Sequence, residues 1–167
     1  MEVSVEAIKA LREKTGAGVM DCKRALAEAA GDLDSACELL RKQGLAIAQK
    51  KASRMAAQGL VEAYIHLGGR IGAMVEVNCE TDFVARTDDF RRLVHELAMQ
   101  VAATAPICIS PEELPQEAKV NPSECCLLLQ PYIRDPSKTV QDLVNDTVAK
   151  LRENIQVSRF ARFELGC

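Results

Sequence analysis

The apolar positions of the chain change their period three times. Over residues 4–54 they recur every three or four positions, as on one buried helix face. Near residue 60 the interval falls to two, after residue 87 it returns to three or four, and at the end it is two again. Ser4 and Glu6 open a first helix with Val5, Ile8 and Leu11 on its apolar face, and Thr15-Gly16-Ala17-Gly18 closes it with residues suited to turns. Cys22, Ala25, Leu26 and Ala29 mark a second helix, stopped by Gly31. Asp32 or Asp34 caps a third, whose stripe is Leu33, Ala36, Cys37 and Leu40 and whose end is expected at Gly44, with a basic helix continuing from Leu45 to Arg54. Three short helices with short links predict a small bundle over residues 1–54. The interruption at Gln58-Gly59 separates it from a second domain, 55–167.

That second domain starts as a hairpin. Leu60–Leu67 and Arg70–Asn78 alternate, and Gly68-Gly69 between them meets the positive φ of a two-residue turn. A helix over 87–103 carries Phe90, Val94, Leu97, Ala98 and Val101 on one side. All six prolines fall between residues 106 and 136, where turns and short helices are expected. Thr139 and Asp142 are spaced as a capping box, with Asp in the third helical position, ahead of a helix lined by Val140, Leu143, Val144, Thr147, Val148 and Leu151 and ending near Asn154. Residues 157–165 read as a closing strand with Ala161, Phe163 and Leu165 on one face and Ser158, Arg162 and Glu164 on the other, as in a half-buried strand; Phe160 breaks that polarity. The fold class is α+β: a three-helix bundle, then three antiparallel strands covered on one face by helices.

Composition narrows the function without naming it. A formal charge of −3 on 167 residues gives no general reason to expect nucleic acid. Five basic and no acidic residues lie between Arg41 and Met55, a distribution that suits either a solvated helix face or an acidic partner. Four phenylalanines and two tyrosines, unclustered, offer little surface for stacking RNA bases. No apolar run approaches the length of about 18 residues that a membrane span requires, and no leader pattern opens the chain, so a cytoplasmic place is expected. Seven cysteines form no CxxC pair, and His66 and His95 stand at no recognised ligand spacing from them. Neither a metal nor a cofactor is therefore expected. Cys167, at the terminus, is a candidate thiol for a bridge between two chains.

The stretch Cys79-Glu80-Thr81-Asp82-Phe83-Val84-Ala85-Arg86 stands where the second strand gives way to a helix. Thr81 or Asp82 serves as a helix cap and Phe83 as a core plug in one reading. In the other, a loop on a rigid scaffold presents an aromatic anchor and a carboxylate to a partner. Cys79 beside His66 or His95 is a further, weaker candidate for nucleophilic chemistry, since no orienting third group is evident.

Three separated motifs decide between these readings: Leu11-Arg12-Glu13-Lys14-Thr15-Gly16-Ala17-Gly18-Val19-Met20-Asp21-Cys22-Lys23, then Glu76-Val77-Asn78-Cys79-Glu80-Thr81-Asp82-Phe83-Val84-Ala85, then Arg159-Phe160-Ala161-Arg162-Phe163-Glu164. Together, in this order and with Asp135-Pro136-Ser137-Lys138-Thr139-Val140 between the last two, they resemble the elongation factor Ts family almost end to end. The resemblance implies a guanine nucleotide exchange factor of translation elongation that binds the GTPase elongation factor Tu, expels GDP and has no catalytic site of its own. It implies that Thr81, Asp82, Phe83 and Val84 form the intruding motif, with Asp82 and Phe83 entering the partner near its magnesium site. Arg12, Val19 and Met20 would form a second contact. The family often has methionine where Val19 stands. One hairpin, one long helix and one closing strand resemble a short-form member with a single core repeat, and pairing of two chains into a homodimer is the expectation that follows. The N-terminal bundle alone also resembles a ubiquitin-associated module, so a ubiquitin-like or peptide-binding adaptor is the alternative; it leaves Asp82 and Phe83 unexplained.

Overall fold

The computed structural model describes residues 3–115 and 119–166. The chain packs as two compact units, Met1–Ser53 with Asn145–Glu153, and Arg54–Val144 with Asn154–Cys167. No helix among the described residues is long and apolar enough to cross a membrane.

The first unit contains α1 (Val5–Thr15), α2 (Val19–Glu28) and α3 (Leu33–Lys51). Their caps follow from the residue types: the Ser4 hydroxyl accepts from the Ala7 N–H and the Asp32 carboxylate from the Ser35 N–H. The Ser35 bonds also hold the Asp32 carboxyl below its ordinary range. Leu11, Cys22, Ala25, Leu26 and Ala36 form a buried cluster, padded by Ile8, Ala29, Cys37 and Leu40. The stop after α2 begins one residue earlier than the glycine suggests, since Ala30 already has φ 53 and Gly31 follows at φ 89. Gly44 does not end α3. It is buried inside a continuous helix, where a Cβ would meet Ala149 Cβ at 3.5 Å; the missing side chain serves close packing, not a turn.

In the second unit β1 (Gln58–Ile65) and β2 (Ile71–Cys79) form the hairpin, and a single helical turn, α4 (Asp82–Ala85), leads into α5 (Asp88–Thr104). The hairpin connection is longer than two residues: His66 N–H donates to Ile71 O at 2.8 Å and closes a loop of residues 67–70, with Gly68 and Gly69, at φ 93 and 68, inside it. The proline-rich stretch holds a 3-10 turn at Pro111–Glu113, α6 (Pro122–Cys125), a second 3-10 turn at Leu127–Leu129, and a small hairpin, β3 (Pro131–Tyr132) and β4 (Asp135–Thr139), that its prolines did not predict. Gln100, buried on α5, supports this hairpin by donating to Pro131 O at 3.1 Å and accepting from Ile133 N–H at 2.9 Å. α7 (Val140–Leu151), whose residues from Asn145 onward belong to the first unit, starts with the expected capping box: Asp142 N–H reaches Thr139 Oγ1 at 3.1 Å, and Thr139 N–H reaches Asp142 Oδ2 at 3.0 Å. β5 (Ile155–Glu164) closes the sheet in the antiparallel order β1-β2-β5, giving the α+β architecture.

The sheet has one covered and one open face. Phe90, Val94, Leu97, Ala98 and Val101 of α5 are fully buried, as are Val75 and Val77 on β2. β5 reverses its expected polarity over its second half: Phe160 and Arg162 turn inward, while Ala161, Phe163 and Leu165 are exposed. The cause is a bulge. Glu76 pairs with Arg159 but Val77 with Val157, so Ser158 has no opposite residue and the alternation shifts by one. Arg162 is accommodated inside because its guanidinium Nε donates to Ala102 O at 3.0 Å and its far end meets Glu164 at 2.7 Å.

Candidate functional site

The stretch after β2 is fixed by bonds from both flanks. The Cys79 thiol, buried at the strand end, donates to Thr81 O at 3.1 Å. Thr81 is extended (φ −127, ψ 155), and its hydroxyl accepts from the Val84 N–H at 3.4 Å, capping α4. On the other flank Thr87 donates its hydroxyl to Val84 O at 2.8 Å and accepts from the Phe90 N–H at 3.3 Å, so it ends one helix and starts the next. Ala85 is buried beneath the turn.

Within this frame the four motif residues divide by role. Thr81 and Val84 are half-buried and belong to the scaffold. Asp82 lies at the first position of the turn with its carboxylate 2.9 Å from Arg86, both in contact with solvent. Phe83 is 79% exposed. A phenylalanine left in water forgoes about 1.5–3 kcal/mol of burial, which a partner's pocket would recover. The core-plug reading of Phe83 is excluded by that exposure; the capping reading holds for Thr81.

Glu80 is part of the frame in a way that spacing along the chain does not reveal. Its carboxylate accepts from the Asn154 N–H at 2.7 Å and lies 3.4 Å from Arg54, while the Asn154 amide donates to Arg54 O at 2.7 Å. The base of the turn is thereby tied to the residue that precedes β5. No periodicity connects positions so far apart, although an acid directly before a Thr cap is a local hint.

The other predicted contact residues lie in the first unit. Gly16 takes the left-handed φ of 68 and donates to Arg12 O at 2.7 Å; Thr15 donates to Leu11 O at 2.7 Å and accepts from the Ala17 N–H at 3.3 Å. Gly18 then opens α2 at φ −63. Arg12 is exposed, Val19 is 49% exposed and Met20 71%. Met20 is therefore not core filling. In the basic stretch, Arg41 lies 3.3 Å from Glu38, within the helix's own charge pattern.

Nucleophilic chemistry at Cys79 finds no support, because its thiol is buried and bonded to Thr81 O, while His66 lies 3.1 Å from Tyr64 Oη and His95 2.9 Å from Glu62. No group of three or more His, Cys, Asp or Glu among the described residues is arranged to hold a metal ion. Cys167 lies outside the described residues.

Comparison with known sequences agrees with the motifs. A family profile described as Elongation factor TS matches residues 6–124. An elongation factor Ts of Thermoanaerobacter sp. (strain X514) is 52% identical over 194 residues, covering 98% of this chain and 95% of that protein. One from Caldanaerobacter subterraneus subsp. tengcongensis is likewise 52% identical, over 98% and 97%, and one from Thermotoga petrophila 46%, over 99% and 98%. These alignments are longer than the 167 residues of the chain, so the relatives carry internal residues with no counterpart here. The chain belongs to the elongation factor Ts family and has that family's role in translation elongation.

Proposed function

We propose that this protein is a guanine nucleotide exchange factor that binds GDP-loaded elongation factor Tu and promotes GDP release, working in the cytoplasm without chemistry or a cofactor of its own. The observation that supports this reading is Phe83, held out in solvent beside Asp82 on a turn fixed at both ends. A ring presented this way binds best to a partner that opens to receive it. A ligand shifts a conformational equilibrium only through its different affinities for the two states, so burying Phe83 in the opened GTPase favours the open form by about 1.5–3 kcal/mol. Opening near the bound Mg²⁺ disturbs the groups that hold the ion against the nucleotide phosphates, and nucleotide leaves. Linkage makes the coupling reciprocal: nucleotide rebinding weakens the factor's hold by the same factor, which releases the GTP-loaded partner.

Thr81 and Val84 keep the intruding pair in register, and Arg12, Val19 and Met20 supply a second contact from the first unit. The test is release of labelled GDP from elongation factor Tu by the intact protein, Asp82→Ala and Phe83→Ala. Loss of Phe83 should slow stimulated release by about tenfold or more, since about 1.4 kcal/mol corresponds to a factor of ten. Undiminished release by both variants would falsify the mechanism.

The same proposal includes a homodimer. Its support is the open sheet face, where Val61, Ile65, Met74, Phe163 and Leu165 are all more than half exposed. Ile65 folds over Gly72, whose Cβ would stand 2.7 Å from Ile65 Cδ1, so the apolar layer depends on that glycine. Light scattering at tens of micromolar should give twice the chain mass, and Phe163→Glu should return it to the monomer value. A monomer mass for the unmodified protein overturns this part.

A further inference from the structure

The stretch between α5 and β3 brings cysteines together that lie far apart in sequence. Cys108 and Cys126 face each other across an isolated parallel bridge, with Leu127 N–H donating to Cys108 O at 2.9 Å and Cys108 N–H to Cys125 O at 3.4 Å. Their sulfurs are 3.1 Å apart. Neighbouring strands are spaced about 4.8 Å, inside the Cα window of about 4.4–6.8 Å that a disulfide accepts, and the bond itself needs the sulfurs at about 2.0 Å. Closing the remaining gap takes side-chain rotation and little backbone movement. Both residues are buried, Cys126 fully and Cys108 to 6% exposure, and both thiols are free. Cys125 is half-buried and donates its thiol to Asn121 O at 3.1 Å, within its own helical turn.

We propose that Cys108 and Cys126 are a reversible redox pair, closed into an intrachain disulfide by exchange with a low-molecular-weight disulfide such as oxidised glutathione. Cys108, the more accessible of the two, gives up its proton and attacks one sulfur of the reagent. The reagent's S–S bond breaks, a mixed disulfide forms on Cys108, and one small thiolate leaves. Cys126 then loses its proton and attacks the Cys108 sulfur, displacing the second small thiolate. The two thiolates take up the two protons, so two protein thiols are oxidised, one reagent disulfide is reduced, and nothing else is consumed. Burial pushes the Cys126 thiol up, so its thiolate fraction at neutral pH is small. In the oxidised chain the bridge covalently joins the two segments that the Cys108–Cys126 pairing already brings together.

The experiment incubates the reduced full chain with oxidised glutathione, quenches with an alkylating reagent, and reads intact mass and a peptide map beside Cys108→Ser, Cys126→Ser and Cys125→Ser. The unmodified protein should lose two alkylatable thiols, become lighter by two hydrogens, and yield a peptide linking Cys108 to Cys126 that dithiothreitol separates. Cys125→Ser should behave the same, and each of the other two variants should lose the link. Full alkylation after oxidation, a stable glutathione adduct without ring closure, or a link through Cys125 or Cys167 overturns the proposal. The unmodified chain alone distinguishes these outcomes, so a variant that fails to fold does not obscure them.

Discussion

Two threonine-led turns present side chains to solvent, one in each unit, and they are held by different means. At Thr15 the backbone itself turns: the hydroxyl bonds back to Leu11 O, and Gly16 takes a left-handed conformation before α2 begins. At Thr81 the turn is clamped from outside, by the Cys79 thiol, the Thr87 hydroxyl and a buried Ala85, with Glu80 tied to Asn154 beneath it. The cores differ in the same sense. The first unit has a cluster of only five fully buried apolar residues, two of them leucines, whereas Phe83 stands on a unit whose sheet and α5 bury a continuous valine, leucine and phenylalanine layer. The Phe83 turn should therefore tolerate loss of one restraint, and the Val19–Met20 surface should depend on the integrity of its small bundle.

The largest effect expected from this contrast is Leu26→Ala, which empties the centre of the small cluster. It should destabilise the first unit by about 2–5 kcal/mol. Hydrogen exchange by peptide should show α1–α3 deprotected while β2 and α5 keep their protection; a uniform loss over both units would mean that they unfold together and would break the contrast. A middle-sized effect is expected for Thr81→Ala, which removes the cap of α4 and should cost about 1 kcal/mol. Chemical denaturation should show that modest loss and GDP release should fall less than for Phe83→Ala; equal loss of exchange would show that the cap alone holds the ring in place. The smallest is Ala30→Gly. Ala30 is held at φ 53, a region that disfavours side chains by about 1 kcal/mol or more, so glycine should stabilise the first unit by a few tenths to about 1 kcal/mol. A lower thermal midpoint for this variant would show that its methyl group packs, not strains.

Much of the second unit was readable in advance because its signals are local. The Thr139–Asp142 capping box, the alternating β2 residues and the apolar side of α5 each lie within one turn or one pleat of the residues that determine them. The site was legible to the same extent: Thr81 as cap and Phe83 as an aromatic in a junction are visible in eight consecutive residues. The direction of Phe83 was not, because an aromatic at that position fits a core as well as an interface until the packing around Ala85 and Val84 is known. Gly44 misled for a similar reason. A glycine after a helical stripe usually stops the helix; here α3 runs on through it, and the approach of Ala149 accounts for the small residue.

By itself, then, the order of residues determined the main helices, the three strands of the larger sheet, most helix starts, the family and the candidate motif, since capping, periodicity and turn chemistry act over a few residues. Tertiary structure alone decided what depends on partners distant in the chain: the unpaired Ser158 that turns Phe163 outward, the Glu80–Asn154 tie beneath the site, and the meeting of Cys108 with Cys126. Register and long-range pairing are set by which surfaces can be buried together, and no local pattern specifies that choice.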